Sequence, residues 1–166
     1  FATFAPHLVI AKEAVDMVCI GEGEVALVDL CERMAMGRDT SDVPNLWIKD
    51  AQGRIRRNPQ SPLVTLDTLP PLDFEIFEEN RIYRPMAGKV YRMIPIETHR
   101  GCPFTCTYCN SPSQVKMHKE NNVGKFFRKR SIERIREELE FLTKRWTAEY
   151  VYFPADTFLA WTEDEF

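Results

Sequence analysis

The chain has 166 residues, 44% apolar and 28% charged, with a formal net charge of -3. That composition suits a globular protein long enough to bury a core, and it excludes disorder as the default state. No apolar run approaches the roughly 20 residues that cross a bilayer, and the slightly acidic balance gives no global basic footprint for nucleic acid.

The start, Phe1-Ala2-Thr3-Phe4, has no initiating Met, basic leader or secretory apolar region, so the chain reads as an internal piece of a larger protein. Asp16–Ile20 is a short apolar run of strand type ended by Gly21, and Glu22-Gly23-Glu24 continues as a loop. Val25, Leu27, Val28, Leu30, Cys31 and Met34 then recur at helical spacing, and Gly37 is a stop signal. Leu46-Trp47-Ile48 and Arg54-Ile55-Arg56 predict a hairpin turning through Asp50–Gly53. Pro59, Pro62, Pro70 and Pro71 fall within thirteen residues and mark an extended connecting segment, the best domain boundary.

A second unit begins near residue 80. Val90–Glu97 predicts a strand with Pro95 near its end. Residues 113–130 are polar and basic and contain the turn signal Asn121-Asn122-Val123-Gly124. Ser131 is a candidate N-cap, after which Ile132, Ile135, Leu139, Leu142 and Trp146 recur at spacings of 3, 4, 3 and 4. Tyr150–Phe153 follows as a strand, with Asp156 just past its end. Strand, helix, strand is a βαβ unit, which implies a parallel pair in an α/β fold. The basic stretch at 116–145 reads as a solvated, charge-paired helix face rather than a nucleic-acid patch.

Five cysteines cannot all pair within one chain, and three of them lie within eight residues. Cys19 and Cys31 stand among apolar neighbours and read as buried small hydrophobes. Cys102-x3-Cys106-x2-Cys109 is a cluster of soft ligands, and unpaired thiols suit a reducing, cytoplasmic compartment. Three cysteines suit a 4Fe–4S cluster with one iron left open. With His99 or His118 as a fourth ligand they would also make a Cys3His zinc module.

The run Arg100-Gly101-Cys102-Pro103-Phe104-Thr105-Cys106-Thr107-Tyr108-Cys109 resembles the signature loop of the radical S-adenosylmethionine superfamily, Cys-x3-Cys-x-aromatic-Cys. The resemblance implies that Cys102, Cys106 and Cys109 bind three irons of a 4Fe–4S cluster. The fourth iron would bind S-adenosylmethionine, which is cleaved to a deoxyadenosyl radical. Tyr108 would lie near the adenine, or else pack over the cluster. Asp156 stands where the family places acidic groups near the S-adenosylmethionine amino group. Related sequences show Asp-Asp-x-Phe there, whereas this chain has Ala155-Asp156-Thr157-Phe158, so the first Asp is absent. A helix N-cap is an equal account of Asp156. Glu97 reads as a structural partner of Arg100.

The Gly21-Glu22-Gly23-Glu24 turn, the helix, the hairpin and the Leu66-x-x-Leu69-Pro70-Pro71-Leu72-Asp73 segment are similar to the cobalamin-binding subgroup of that superfamily. The implied fold is α/β: the C-terminal part of a Rossmann-like cobalamin domain at 1–38, a hairpin and Pro-rich linker at 39–79, and the start of a partial (β/α)6 barrel at 80–166. Gly21 and Gly23 would let the backbone approach the cobalamin nucleotide tail, or make a tight strand-to-helix turn. The implied activity is methyl transfer to an unactivated carbon or phosphorus of a small-molecule or peptide-derived substrate. An electron donor such as flavodoxin or ferredoxin would reduce the cluster. Radical rearrangement or cyclisation is the enzymatic alternative. No residue is assigned to the catalytic step itself, and this stretch alone is expected to be inactive.

Overall fold

The structure is a computed structural model that describes residues 1–165. The chain divides into two compact units, residues 1–64 with 117–124, and residues 65–116 with 125 onward. The break after Val64 falls inside the Pro-rich segment that the sequence marks as a boundary.

In the first unit, β1 (Met17–Cys19), β2 (Leu46–Lys49) and β3 (Ile55–Arg57) form an antiparallel sheet in that order. The predicted hairpin is therefore β2–β3, but it joins the sheet of β1 rather than the connecting segment. Its turn closes on Asp50, whose carboxylate accepts the Gln52 and Arg54 N–H groups at 2.9 Å, and Gly53 supplies a φ of 77°. The register sets Val18 opposite Trp47 and Cys19 opposite Leu46. Residues directly opposite share a face. Val18 and Trp47 pack against Ile10 of the short helix α1 (Pro6–Ile10). Met17, Cys19, Leu46 and Ile48 pack against Ala26 of α2 (Glu24–Ala35).

Helix α2 ends at Gly37, as expected, with a φ of 63°. Its burial differs from expectation. Only Ala26 is buried, while Val25, Leu27, Val28 and Met34 are exposed. Cys31 is exposed and Cys19 is half-buried, so neither is the buried thiol the sequence suggested. Periodicity reports that an apolar stripe exists, not that this unit covers it.

The second unit is built on β4 (Tyr83–Met86), β5 (Lys89–Pro95) and β8 (Tyr150–Tyr152), in the order β4-β5-β8. A two-residue turn at Ala87-Gly88, both with positive φ, closes the antiparallel β4–β5 hairpin. β5 and β8 run parallel, with Ile94 opposite Val151. Between them come β6 (His99–Arg100), α3 (Ser111–Glu120), β7 (Arg128–Lys129) and α4 (Ile132–Trp146). The predicted βαβ unit is thus present, and the protein is a mixed α/β structure.

Helix α4 starts where predicted. Ser131 Oγ accepts the Arg134 N–H at 3.2 Å, and Asp67 accepts the Ser131 N–H at 3.0 Å. Ile135, Leu139, Leu142 and Trp146 press on Ile94, Ile96 and Val151, with Phe74 edge-on to Trp146. Among the described residues no helix is long and apolar enough to cross a membrane.

Candidate metal centre

The cysteine loop leaves the C-terminal end of β5. Ile96 continues the strand by donating its N–H to Tyr152 O at 3.0 Å. β6 then pairs with β7, His99 opposite Lys129 and Arg100 opposite Arg128. Glu97 and Arg100 form a two-point ion pair at 2.8 and 3.1 Å, the structural partnership expected for Glu97. Behind it sits a feature the sequence did not announce, the buried Arg130–Glu138 pair, 5% and 2% exposed. Arg130 Nη1 donates to Glu97 O at 3.0 Å, and Glu138 Oε1 accepts the Leu72 N–H at 3.3 Å. A Glu on a charged helix looks like a solvated residue, so only the fold reveals it as buried.

Gly101 makes the turn into the loop. Its φ is 82°, and an added Cβ would stand 2.7 Å from Phe126 O. No side chain fits that approach of two backbones. Beyond it lie Cys102 and Cys106, half-buried, and Cys109, exposed, all free thiols. Cys109 N–H donates to Cys106 O at 3.2 Å, and α3 begins two residues later. Cys109 Sγ lies 3.4 Å from Ser111 Oγ and accepts the Ser111 N–H at 3.5 Å. These contacts, the hydroxyl first, hold the Cys109 thiol below its ordinary pKa. The adjoining helix N-terminus works in the same direction, toward the thiolate that binds metal.

Tyr108 is 92% exposed, and a hydrogen bond to Cys106 pushes its hydroxyl up. It does not pack over anything in the described residues. Asp156 is exposed. The turn at Phe158–Ala160 is preceded by Thr157 and has no side-chain cap, so the capping role is not the one Asp156 plays. Its charge bears on both Cys109 and His99.

His99 is 1% exposed, with Nδ1 at 3.0 Å from Thr98 Oγ1 and its ring edge-on to Phe127. Burial pushes its pKa down. His118 is buried and belongs to the first unit. Among the described residues, no three His, Cys, Asp or Glu side chains stand close enough together to hold a metal ion. The donor set itself, three free thiols on one short loop, suits a soft metal or an iron–sulfur cluster.

The glycine turn of the first unit is tied by its own polar groups. Gly21 has a φ of 82°, and a Cβ there would meet Gln60 Nε2 at 2.7 Å. Gln60 donates to Ile20 O at 3.2 Å, and Asn45 Nδ2 donates to Glu22 O at 2.8 Å. Gly23 has only Cys19 Sγ near its Cβ position, at 3.7 Å.

No protein-family model matches the chain. It is 30% identical, over 161 residues and 94% of its length, to an uncharacterized methyltransferase of Pyrococcus horikoshii. It is 33% identical over 143 residues, 82% of its length, to the anaerobic magnesium-protoporphyrin IX monomethyl ester cyclase of Rubrivivax gelatinosus. The chain spans 32% of the first relative and 23% of the second. Among solved structures it matches the cobalamin-dependent S-adenosylmethionine radical enzyme OxsB with a TM-score of 0.64 and 19% identity. That match covers 99% of this chain and 21% of that one. Its fold is therefore that of part of the OxsB chain. The radical S-adenosylmethionine methyltransferase TsrM of Kitasatospora setae agrees, with a TM-score of 0.57 and 21% identity over 93% of this chain and 29% of that one.

Proposed function

We propose that this chain contributes the cluster loop of a radical S-adenosylmethionine enzyme that also uses cobalamin, and that the parent activity is methyl transfer. The observation that carries the reading is the loop: three free thiols at the C-terminal end of a strand that pairs parallel with the next. α/β barrels place their chemistry at that end. Cys102, Cys106 and Cys109 are the proposed ligands of a 4Fe–4S cluster. When bound, the cluster supplies the electron that cleaves S-adenosylmethionine to a hydrogen-abstracting radical.

The chain's own residues hold the loop. Gly101 fixes its entry against Phe126, while Glu97, Arg100, Arg130 and Glu138 lock the strand end behind it. Tyr108, exposed on the loop, is the proposed neighbour of the adenine. Asp156, whose charge reaches the loop, is the proposed partner of the S-adenosylmethionine amino group. Gly21 and Gly23 are the proposed cobalamin contacts. Both are half-buried rather than sealed in the core, and they lie in a stretch that OxsB, solved with aqua-cobalamin, matches in fold. On this reading residues 1–38 close a cobalamin domain and residues 80–166 open the barrel. Cyclisation is the second reading, favoured by the likeness to the Rubrivivax cyclase.

The test is anaerobic reduction of the intact, cluster-loaded protein with S-adenosylmethionine. Release of 5′-deoxyadenosine is expected, and its loss on Cys106→Ala. A protein that loads iron yet leaves S-adenosylmethionine intact would remove the radical chemistry. In the presence of methylcobalamin, methylated product separates methyl transfer from cyclisation.

A further inference from the structure

The sheet face opposite α4 carries a second feature. Pairing sets Met93 opposite Tyr150, Pro95 opposite Tyr152 and Arg84 opposite Tyr91, so these six side chains share one face. Ile94 and Val151 point the other way, into the α4 core. On the shared face lies a cavity of about 380 Å³ with Met93, Pro95 and Tyr152 as its floor. Phe74 and Phe77 form a wall, and Arg81 and Arg84 complete the rim. The Arg84 guanidinium lies over the Tyr152 ring, 5.3 Å from its centre. The volume fits a small ligand.

Elsewhere in the unit Arg100, Arg130, Arg134, Arg136 and Arg145 each face a carboxylate, although Arg92 does not. Among the described residues Arg81 and Arg84 face none. A stacked guanidinium is held in one plane and keeps its in-plane donors free for a carboxylate. Among the described residues no helix N-terminus lines the cavity, so the usual cradle for a phosphate is missing there. Pro95 and Tyr152 are the last residues of β5 and β8, the end from which the cysteine loop and Asp156 depart.

We propose that this cavity binds the substrate and that the substrate is a carboxylic acid on a flat apolar body. The rings, Met93 and Pro95 take the body, and Arg81 and Arg84 take the carboxylate. The assignment of this ligand as substrate rests on the radical reading of the loop.

The test is calorimetric binding to the intact protein, with iron counted in the same samples. The probes are indole-3-propionate, its primary amide and phenyl phosphate. The acid is expected to bind about tenfold more tightly than the amide, the scale of one charge-assisted hydrogen-bonded contact. Arg84→Gln and Arg81→Gln should each reduce that preference. Equal affinity for acid and amide, a preference that survives both substitutions, or tighter binding of phenyl phosphate would overturn the proposal. An iron-loaded protein without the preference counts against the cavity alone. The preference in a protein that takes up no iron supports the anion site and overturns its role as a radical substrate site.

Discussion

Two glycine turns follow strands in this chain, and they are finished differently. The turn at Gly21 is half-buried and braced by side chains of its own unit. Gln60 fills the space where a Cβ would go, Asn45 takes the Glu22 carbonyl, and Glu22 accepts the Val64 N–H at 3.2 Å. The turn at Gly101 is held by the Glu97–Arg100 pair, by β6–β7 and by the Phe126 backbone. Downstream of it the chain offers three thiols, of which Cys109 is exposed. The first turn is braced by polar side chains of its own unit, whereas the second rests on backbone and leads into three free thiols. A glycine in a turn therefore says little by itself, and what stands where its side chain would be says more.

The contrast makes graded predictions. The largest concerns the anchor. Arg130→Met leaves Glu138 charged and unpaired in the interior and is expected to cost about 3–5 kcal/mol in urea unfolding. Arg130→Met combined with Glu138→Leu should recover most of that loss. If the single variant unfolds like the parent, the strand end behind the loop is not anchored there.

Next come the glycines. Gly21→Ala and Gly101→Ala both put a side chain into the left-handed region, at about 1–2 kcal/mol each. Gly21→Ala must displace only the amide end of Gln60, but Gly101→Ala collides with backbone. Gly101→Ala should therefore be the more destabilising, and it alone should lower iron uptake. Equal effects would erase the distinction between the two turns. Ser131→Ala removes the cap of α4 and should cost about 1 kcal/mol without touching iron uptake.

The smallest effect lies at Glu165, which holds Lys129 at 2.6 Å and caps Thr162. The Lys129 contact, with Thr162 after it, lowers its pKa from 4.5 to about 2. A depressed carboxylate stabilises the fold above its unfolded pKa. That contribution should be full above pH 4.5 and fade as the pH falls toward about 2. A carbon-13 titration of Glu165 should show the low value, rising toward normal in Lys129→Met.

Much of the second unit was legible because its pattern and its packing agree. Ser131 and the 3-4-3-4 spacing define α4 to the residue, and Ile94, Leu142 and Val151 meet as the βαβ reading requires. Helix α3 was not legible. It begins Ser111-Pro112, holds only Val115 and Met117 as large apolar residues, and buries only Ser111 and His118, so no apolar stripe marks it. The two-residue strands β6 and β7 are too short for any period to register, yet they aim the cysteine loop. On α2 the stripe was visible and its burial was not, because spacing carries no information about a partner. At the site, the cysteines declared themselves by spacing. Arg130 and Glu138 did not, because a buried pair and a solvated pair read alike in sequence.

The account rests on the loop holding an iron–sulfur cluster through three cysteines. Iron and sulfide analysis after anaerobic reconstitution tests this most directly, on the intact protein beside Cys102→Ala, Cys106→Ala, Cys109→Ala and Cys19→Ala. The prediction is a brown protein with about four irons per chain, lost in each of the three loop variants and kept in Cys19→Ala. A colourless protein carrying one zinc, or iron that persists without Cys102, Cys106 or Cys109, would contradict it.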